Sequence, residues 1–257
     1  IDQALGINAF GADKVVRLAK HLNAGLVHIS TCYVNGSRAG QVYEEDAVLG
    51  YFPKQAQMGD EVFDHRLEIQ RLKELTKQVR EQVDDPRWQS LFRKQAMESL
   101  EKEGRDSDDP KTLKSAILRQ RKRWLMLELK RVGMERAQFW GWQNTYTYTK
   151  SLGEQIIAEA LADGGVKACI VRPSIVESAL RFPFEGWNEG FTTTAPLILL
   201  ARQGLRDFPY AEELVLDIIP VDMVAATIVA ATAAVVAGEH QFVYQAASGA
   251  VNPLTIK

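Results

Sequence analysis

The 257-residue sequence is poor in cysteine, with two in all. That count excludes a small secreted domain stapled by disulfides, and a reduced, cytoplasmic setting is expected. Cys32 and Cys169 each fall in an apolar run at a strand end, where core thiols are inert. Long hydrophobic runs are lacking too. The longest, from Val221 to Ala237, is alanine-rich and slightly short for crossing a bilayer, so a buried helix is expected. No secretory leader pattern is seen. The four histidines, His21, His28, His65 and His240, have no metal-ligand spacing, and no metal is expected. Charge of one sign is also missing. Lys and Arg number 31 against 33 Asp and Glu, a net charge of -2 that selects no polyionic partner. What remains is 46% hydrophobic and 25% charged, enough to bury the core of one large domain or two small ones.

Along the chain, two kinds of pattern alternate. Residues 1–22 have helical spacing at Leu5, Ala9, Val15, Val16 and Ala19. Leu26 to Ile29 is a short apolar run that predicts a buried parallel strand, with Gly36 marking the loop after it. From Pro53 to Gly141 charge dominates, and three amphipathic helices are predicted. Asp85-Pro86 and Asp109-Pro110 each set an acidic cap before a proline, a helix-start signal. Then Tyr146 to Ala162 predicts a helix ended by Gly164-Gly165, and Val166 to Val171 a strand. Helix 195–203, strand 214–219, helix 221–236 and strand 241–246 complete an order that suggests parallel βαβ units. The fold class is therefore α/β with a helical insertion over 53–141.

The stretch NTYTYTK, residues 144 to 150, carries two tyrosines and a lysine. Tyr146 and Lys150 are four apart, on one helix face. A phenol exchanges protons poorly at neutral pH unless a nearby cation lowers its pKa. So placed, it can donate a proton to a carbonyl oxygen as the carbon takes a hydride. Tyr148, two residues from the lysine, points elsewhere and is expected to be replaceable. The spacing alone is more often that of an ordinary helix-surface pair. Ser30 and Thr31 directly follow the first strand, where parallel sheets bind ligands. Thr31 could hydrogen-bond the same substrate oxygen, or the two hydroxyls could serve only local backbone groups. VRPSIVES, residues 171–178, supplies a second strand end and crevice loop.

Strand-Ser-Thr, Tyr-x-x-x-Lys and strand-Arg-Pro, in this order, resemble the extended short-chain dehydrogenase/reductases. INAFGADKVVRLA, VHISTCYVNG, NTYTYTKSLGEQ, VRPSIVES, FPFEGW, DIIPVDMVA and ASGAVNPLT are more specifically similar to fatty acyl-CoA reductases and their thioester-reductase relatives. The resemblance implies a partial Rossmann-like, doubly wound parallel sheet. It implies that Thr31, Tyr146, Lys150 and Asn8 are catalytic, Tyr146 as general acid and Asn8 as support for the lysine. It implies that Lys150 and Tyr146, with Pro173, Ser174 and Ile175, meet the cofactor NADPH. Asp222 matches an acidic residue with a structural role. The implied reaction is reduction of a long-chain acyl thioester, on CoA or acyl carrier protein, to aldehyde or alcohol. Another extended reductase, such as an epimerase/dehydratase or a steroid-type dehydrogenase, is the alternative within the superfamily.

The sequence departs from the family in lacking a glycine-rich strand-turn-helix for the cofactor phosphates. The chain is accordingly expected to be an incomplete NAD(P)-binding reductase domain over 1–257, without a C-terminal domain. Alone it should bind NADPH poorly, turn over nothing, and expose an open sheet edge that lowers solubility. A silent binding or assembly fragment is the alternative. Between Lys111 and Arg131, eight basic residues face one acid, Glu128. They suit CoA phosphates, a carrier protein or anionic lipid, or are the solvated face of a helix balanced by acids nearby. Peripheral membrane contact and oligomeric state are left open, and nucleic acid is not expected because no recognised module is present. Trp187 fits either an acyl tunnel or a plain core.

Overall fold

The computed structural model describes residues 1–191, 193–207 and 215–255. The chain opens with α1 (Asp2–Asn8) and α2 (Phe10–Leu22), then β1 (Leu26–Ile29) and a 3-10 turn, Cys32–Asn35. Next come α3 (Gln55–Met58), α4 (His65–Gln82), α5 (Pro86–Lys102), α6 (Pro110–Trp140) and α7 (Thr145–Ala162). After them follow β2 (Ala168–Pro173), β3 (Ile175–Glu177), α8 (Ala195–Arg202), β4 (Val215–Leu216), β5 (Ile218–Pro220), α9 (Val221–Ala237), β6 (Val243–Ala246) and β7 (Leu254–Thr255).

The main sheet has the order β1-β2-β6, all parallel, with Leu26 opposite Ala168 and Ile170 opposite Val243. All six β2 residues are buried, as expected of a strand covered on both faces. Alternate side chains go to opposite sides. Ala168 and Ile170 pack under α2 and α7 with Val16, Ile157 and Ala158. Cys169 and Val171 pack on α9 with Val224, Ala231 and Val235. Helices on both faces make this a doubly wound α/β arrangement. Among the described residues β1 is paired on one edge only.

The charged segment is helical as predicted. Asp85 accepts the Arg87 N–H at 2.9 Å and Asp109 the Thr112 N–H at 2.9 Å, so both acid-proline pairs cap helices. Asp64 caps α4 in the same way, accepting from Arg66 and Leu67. The four helices do not form one separate body. Leu72 of α4 and Ala137 and Trp140 of α6 share a core with Leu5, Ala9, Tyr148 and Leu152. The hairpin of α5 with the first half of α6 has its own cluster, Ala96, Leu100 and Ala116. Trp88, Phe92 and Trp124 stack beside it.

Three expectations need adjustment. The opening helix is interrupted for one residue at Ala9, where the Asn8 carbonyl meets Gly153 so closely that a Cβ there would sit 2.4 Å from it. The strand expected over 214–219 is two short ones, β4 and β5, with Leu214 outside the described residues. β5 leaves the main sheet to pair in parallel with β3, which ends the second crevice loop.

Candidate active site

α7 is the element around which the candidate residues gather. Asn144 caps it, its side chain accepting the Thr147 N–H at 2.9 Å. Eleven of its eighteen residues are buried, several of them polar. Each buried polar group needs a partner, and the partners show what α7 holds. Glu154 forms a two-pronged ion pair with Arg172 of β2, at 3.0 and 2.6 Å, both side chains buried. Gln155 accepts the Gly50 N–H and donates to the Tyr51 carbonyl, both at 3.0 Å, clamping the loop after the 3-10 turn. Asn8 donates to Thr149 Oγ1 at 2.9 Å.

Lys150 projects from the half-buried flank of α7 to the end of β1, donating to the Ile29 carbonyl at 2.6 Å. Burial lowers its pKa, against an opposing pull from Glu154. A cavity of about 300 Å³ brings Lys150 together with Asn8, His28 and Ile29. Burial, and secondarily the Lys150 charge, pushes His28 down to about 4. Its Nε2 is buried with no hydrogen-bond partner, so the packed-histidine expectation holds only in part.

Thr31 and Tyr146 lie on the two segments that meet beside this point. Ser30 leaves β1 with its N–H on the Val171 carbonyl at 2.8 Å, so Ser30 and Thr31 emerge beside Arg172 and Pro173. Thr31 caps the 3-10 turn, its Oγ1 accepting the Tyr33 N–H at 3.3 Å. This is the local backbone role, and it leaves the hydroxyl hydrogen free to donate. The turn packs on the start of α7, where Trp142 Nε1 donates to the Val34 carbonyl at 2.7 Å. Gly36 closes the turn at φ +59, with Pro53 and Gly141 too near for any side chain.

Tyr146 is 51% exposed, and among the described residues no hydrogen bond joins it to Lys150 or Thr31. Burial alone raises its pKa. The lysine therefore does not lower the phenol while its ammonium sits on Ile29. Tyr148 overturns an expectation outright. It is fully buried and donates to Glu68 of α4, itself gripped by Arg136 of α6 at 2.5 and 2.6 Å. Burial, then Glu68, pushes its pKa far above the ordinary phenol value. Replacing it should cost stability, because a carboxylate with 2% exposure loses a hydrogen-bond donor.

Pro173, Ser174 and Ile175 bridge the two sheets: Pro173 ends β2 and Ile175 opens β3. Asp222 has the structural role expected of it. Its carboxylate accepts the N–H groups of Leu180, Arg181 and Phe182 at 3.0, 2.9 and 3.2 Å, which hold it down at about 2. Burial, then Asp217, pushes the Cys32 thiol up to about 12, which fits an unreactive group. Sequence reasoning missed Glu68, Arg136 and Glu154, and it read Arg172 only as part of the strand-Arg-Pro order. The signal available was a lone charge within an apolar strand, as in ACIVRP, which demands a buried counterion.

The fit of a nicotinamide cofactor can be tested on unpartnered atoms. Ser30 Oγ and Ser174 Oγ are buried without hydrogen-bond partners, at the carboxyl ends of β1 and β2. A polar ligand over these two strand ends would satisfy both, and this is where open α/β sheets bind nucleotides. The residues fit the group. Among the described residues no cluster of three or more metal-binding side chains occurs, and no helix is long and apolar enough to cross a membrane.

A parallel sheet with helices packed on both faces defines an α/β domain of the doubly wound type. Residues 1–228 match the NAD-binding family described as Male sterility protein, and the chain belongs to that family. It is 32% identical to Probable fatty acyl-CoA reductase 4 of Arabidopsis thaliana, over 100% of this chain and 44% of that protein. It is 32% identical to the chloroplastic Fatty acyl-CoA reductase 2 of the same plant, over 100% of this chain and 36% of that one. With the Alcohol-forming fatty acyl-CoA reductase of Simmondsia chinensis it shares 31%, over 99% and 44%. The chain thus spans less than half the length of these relatives.

Proposed function

We propose that this chain supplies the carbonyl-activating side of an NADPH-dependent reductase of long-chain fatty acyl thioesters, carried on CoA or on an acyl carrier protein. The observation that carries the reading is the placement of Lys150 against the end of β1, one helical turn from Tyr146 and beside the Thr31 turn. Bound NADPH supplies hydride. Thr31 donates its free hydroxyl hydrogen to the thioester oxygen and fixes the carbonyl. Tyr146, half open to solvent, gives that oxygen its proton as the carbon is reduced. The C–S bond then breaks, the thiol leaves, and aldehyde is formed; a second hydride would give the alcohol. Lys150 holds the cofactor ribose and favours the phenolate, a role that requires its ammonium to leave the Ile29 carbonyl. Asn8 fixes the neighbouring Thr149, and Pro173, Ser174 and Ile175 wall the nicotinamide end. In this reading residues 53–141 are an insertion whose helices brace α7, and the protein works in the cytoplasm.

The test uses the full gene product with a long-chain acyl-CoA. NADPH oxidation should depend on the thioester and release free CoA thiol in step with aldehyde or alcohol. Thr31→Val should lower kcat about a hundredfold to a thousandfold, the range for one lost oxyanion donor. Oxidation without thiol release, or an unchanged kcat in Thr31→Val, contradicts the reading.

A further inference from the structure

The proposed reaction uses only the thioester end of its substrate. It leaves unused a cavity of about 800 Å³ beside the Thr31 turn, walled by the segment 37–57. That volume falls in the range of small-molecule sites, about 300–1,000 Å³. The segment leaves and returns at one point. The Ser37 N–H donates to the Gly141 carbonyl at 3.0 Å, and the Lys54 N–H to the Trp140 carbonyl at 3.2 Å. Its far side is tied to β6, where Glu44 accepts the Gln245 N–H at 2.6 Å and the Gln245 side chain donates to the Val42 carbonyl at 2.9 Å. Between these ties Arg38 pairs with Asp46 at 2.9 Å, and Gln155 of α7 holds the backbone of Gly50 and Tyr51. Pinned at base, middle and tip, the segment holds the cavity ready before any ligand arrives.

The cavity adjoins the reacting residues. Thr31 caps one end of the 3-10 turn, and Asn35 ends it, its carbonyl accepting the Tyr51 hydroxyl of the cavity wall at 2.8 Å. Four residues at about 2 Å rise each put those two points roughly 8 Å apart. The charges of Arg38 and Arg172 both act on the Tyr51 phenol, so the wall also stands near the end of β2. The lining is mixed. Leu49 and Pro53 are apolar, whereas Ser37, Gln55 and Gln57 are polar and exposed. Among the described residues the side chains of these last three make no hydrogen bond. A methylene chain laid here would strip water from them and return nothing. A chain with amides of its own would match them.

We propose that this cavity receives the pantetheine arm of the thioester, the part common to CoA and an acyl carrier protein; the inference rests on the reductase reading above. The arm carries two amides, a hydroxyl and a dimethyl carbon between its sulfur and its phosphate. Extended, it is about as long as four peptide residues, roughly 14 Å. With the thioester carbonyl at Thr31, the arm spans the turn and lays its amides in the cavity. There Gln55 and Gln57 can both donate and accept, and the dimethyl carbon meets Leu49 and Pro53.

The test assays the full gene product on three thioesters of one long acyl chain: the CoA ester, the pantetheine ester and the ethyl thioester, which has no arm. The readout is the preference for each armed substrate over the ethyl thioester, as a ratio of kcat/KM. Gln55→Leu with Gln57→Leu should lower this preference about thirtyfold for CoA and pantetheine alike, as for two lost hydrogen bonds. Ala56→Trp, which fills the cavity, should lower it too. An unchanged melting temperature shows that each variant folds. Wild-type rates on acyl-CoA and on acylated carrier protein tell which of the two delivers the arm. An unaltered preference in both variants overturns the proposal. So does a loss confined to the CoA ester, which would assign the cavity to the nucleotide end. Failure of the reductase reading is distinct: wild type then reduces no thioester, and calorimetric binding of phosphopantetheine decides. Binding weakened by the variants sustains the arm site; no binding, or binding that neither variant alters, overturns it.

Discussion

His28 and Tyr148 show how burial acts on single groups near the site. In the folded chain the His28 ring is held neutral to about 4, because burial and then the Lys150 charge oppose its protonation. An unfolded histidine protonates near 6.5. Between those values the unfolded chain takes a proton that the folded chain refuses. This contribution to stability is therefore intact above pH 6.5 and is lost as pH falls toward 4. Wild type should lose urea resistance relative to His28→Leu across that window. A difference between the two that stays constant from pH 7.5 to 4.5 would show that His28 does not titrate this way. Tyr148 represents the opposite lesson. Its distance from Lys150 in sequence suggested an idle face, yet that face meets Glu68, eighty residues away.

At the scale of elements, α7 was legible in outline and illegible in function. Its boundaries follow from the Asn144 cap and the closing glycines, and they were predicted to within one residue. Its buried face could not be read from apolar spacing, because Thr149, Glu154 and Gln155 are buried on distant partners that no local pattern reveals. The Glu154–Arg172 pair ties α7 to the central strand. Removing one partner strands a buried charge, whereas replacing both with apolar groups does not. Arg172→Met should cost about 3–5 kcal/mol in unfolding free energy. The double variant Arg172→Met with Glu154→Leu should recover most of that loss in denaturant titration. A double variant as unstable as the sum of the singles would mean the pair contributes chiefly through packing.

For the whole molecule, the alternation of apolar strands and helices gave away the parallel sheet, and acid-proline pairs gave away two of the long helices. The two small sheets, β3-β5 and β4-β7, were not legible: β4 and β5 merged into one predicted strand, and β3 and β7 are two or three residues each, too short for any period to show. The order of motifs pointed to Thr31, Tyr146 and Lys150, but their mutual geometry belongs to the tertiary fold: Lys150 turns to Ile29, and Thr31 caps its own turn. The division of labour between two neighbouring tyrosines is the account's central claim. Tyr146 is assigned to chemistry, and Tyr148 to bracing α7 through Glu68 and Arg136. The most direct measurement sets Tyr146→Phe beside Tyr148→Phe in the full gene product, each scored for acyl-CoA-dependent NADPH oxidation and melting temperature. Tyr146→Phe should lose at least about a hundredfold in kcat with unchanged melting. Tyr148→Phe should keep kcat within a few-fold and melt about 5 °C lower, as loss of a hydrogen bond to a buried charge predicts. An active Tyr146→Phe, or a Tyr148→Phe that is inactive yet fully stable, would contradict the assignment.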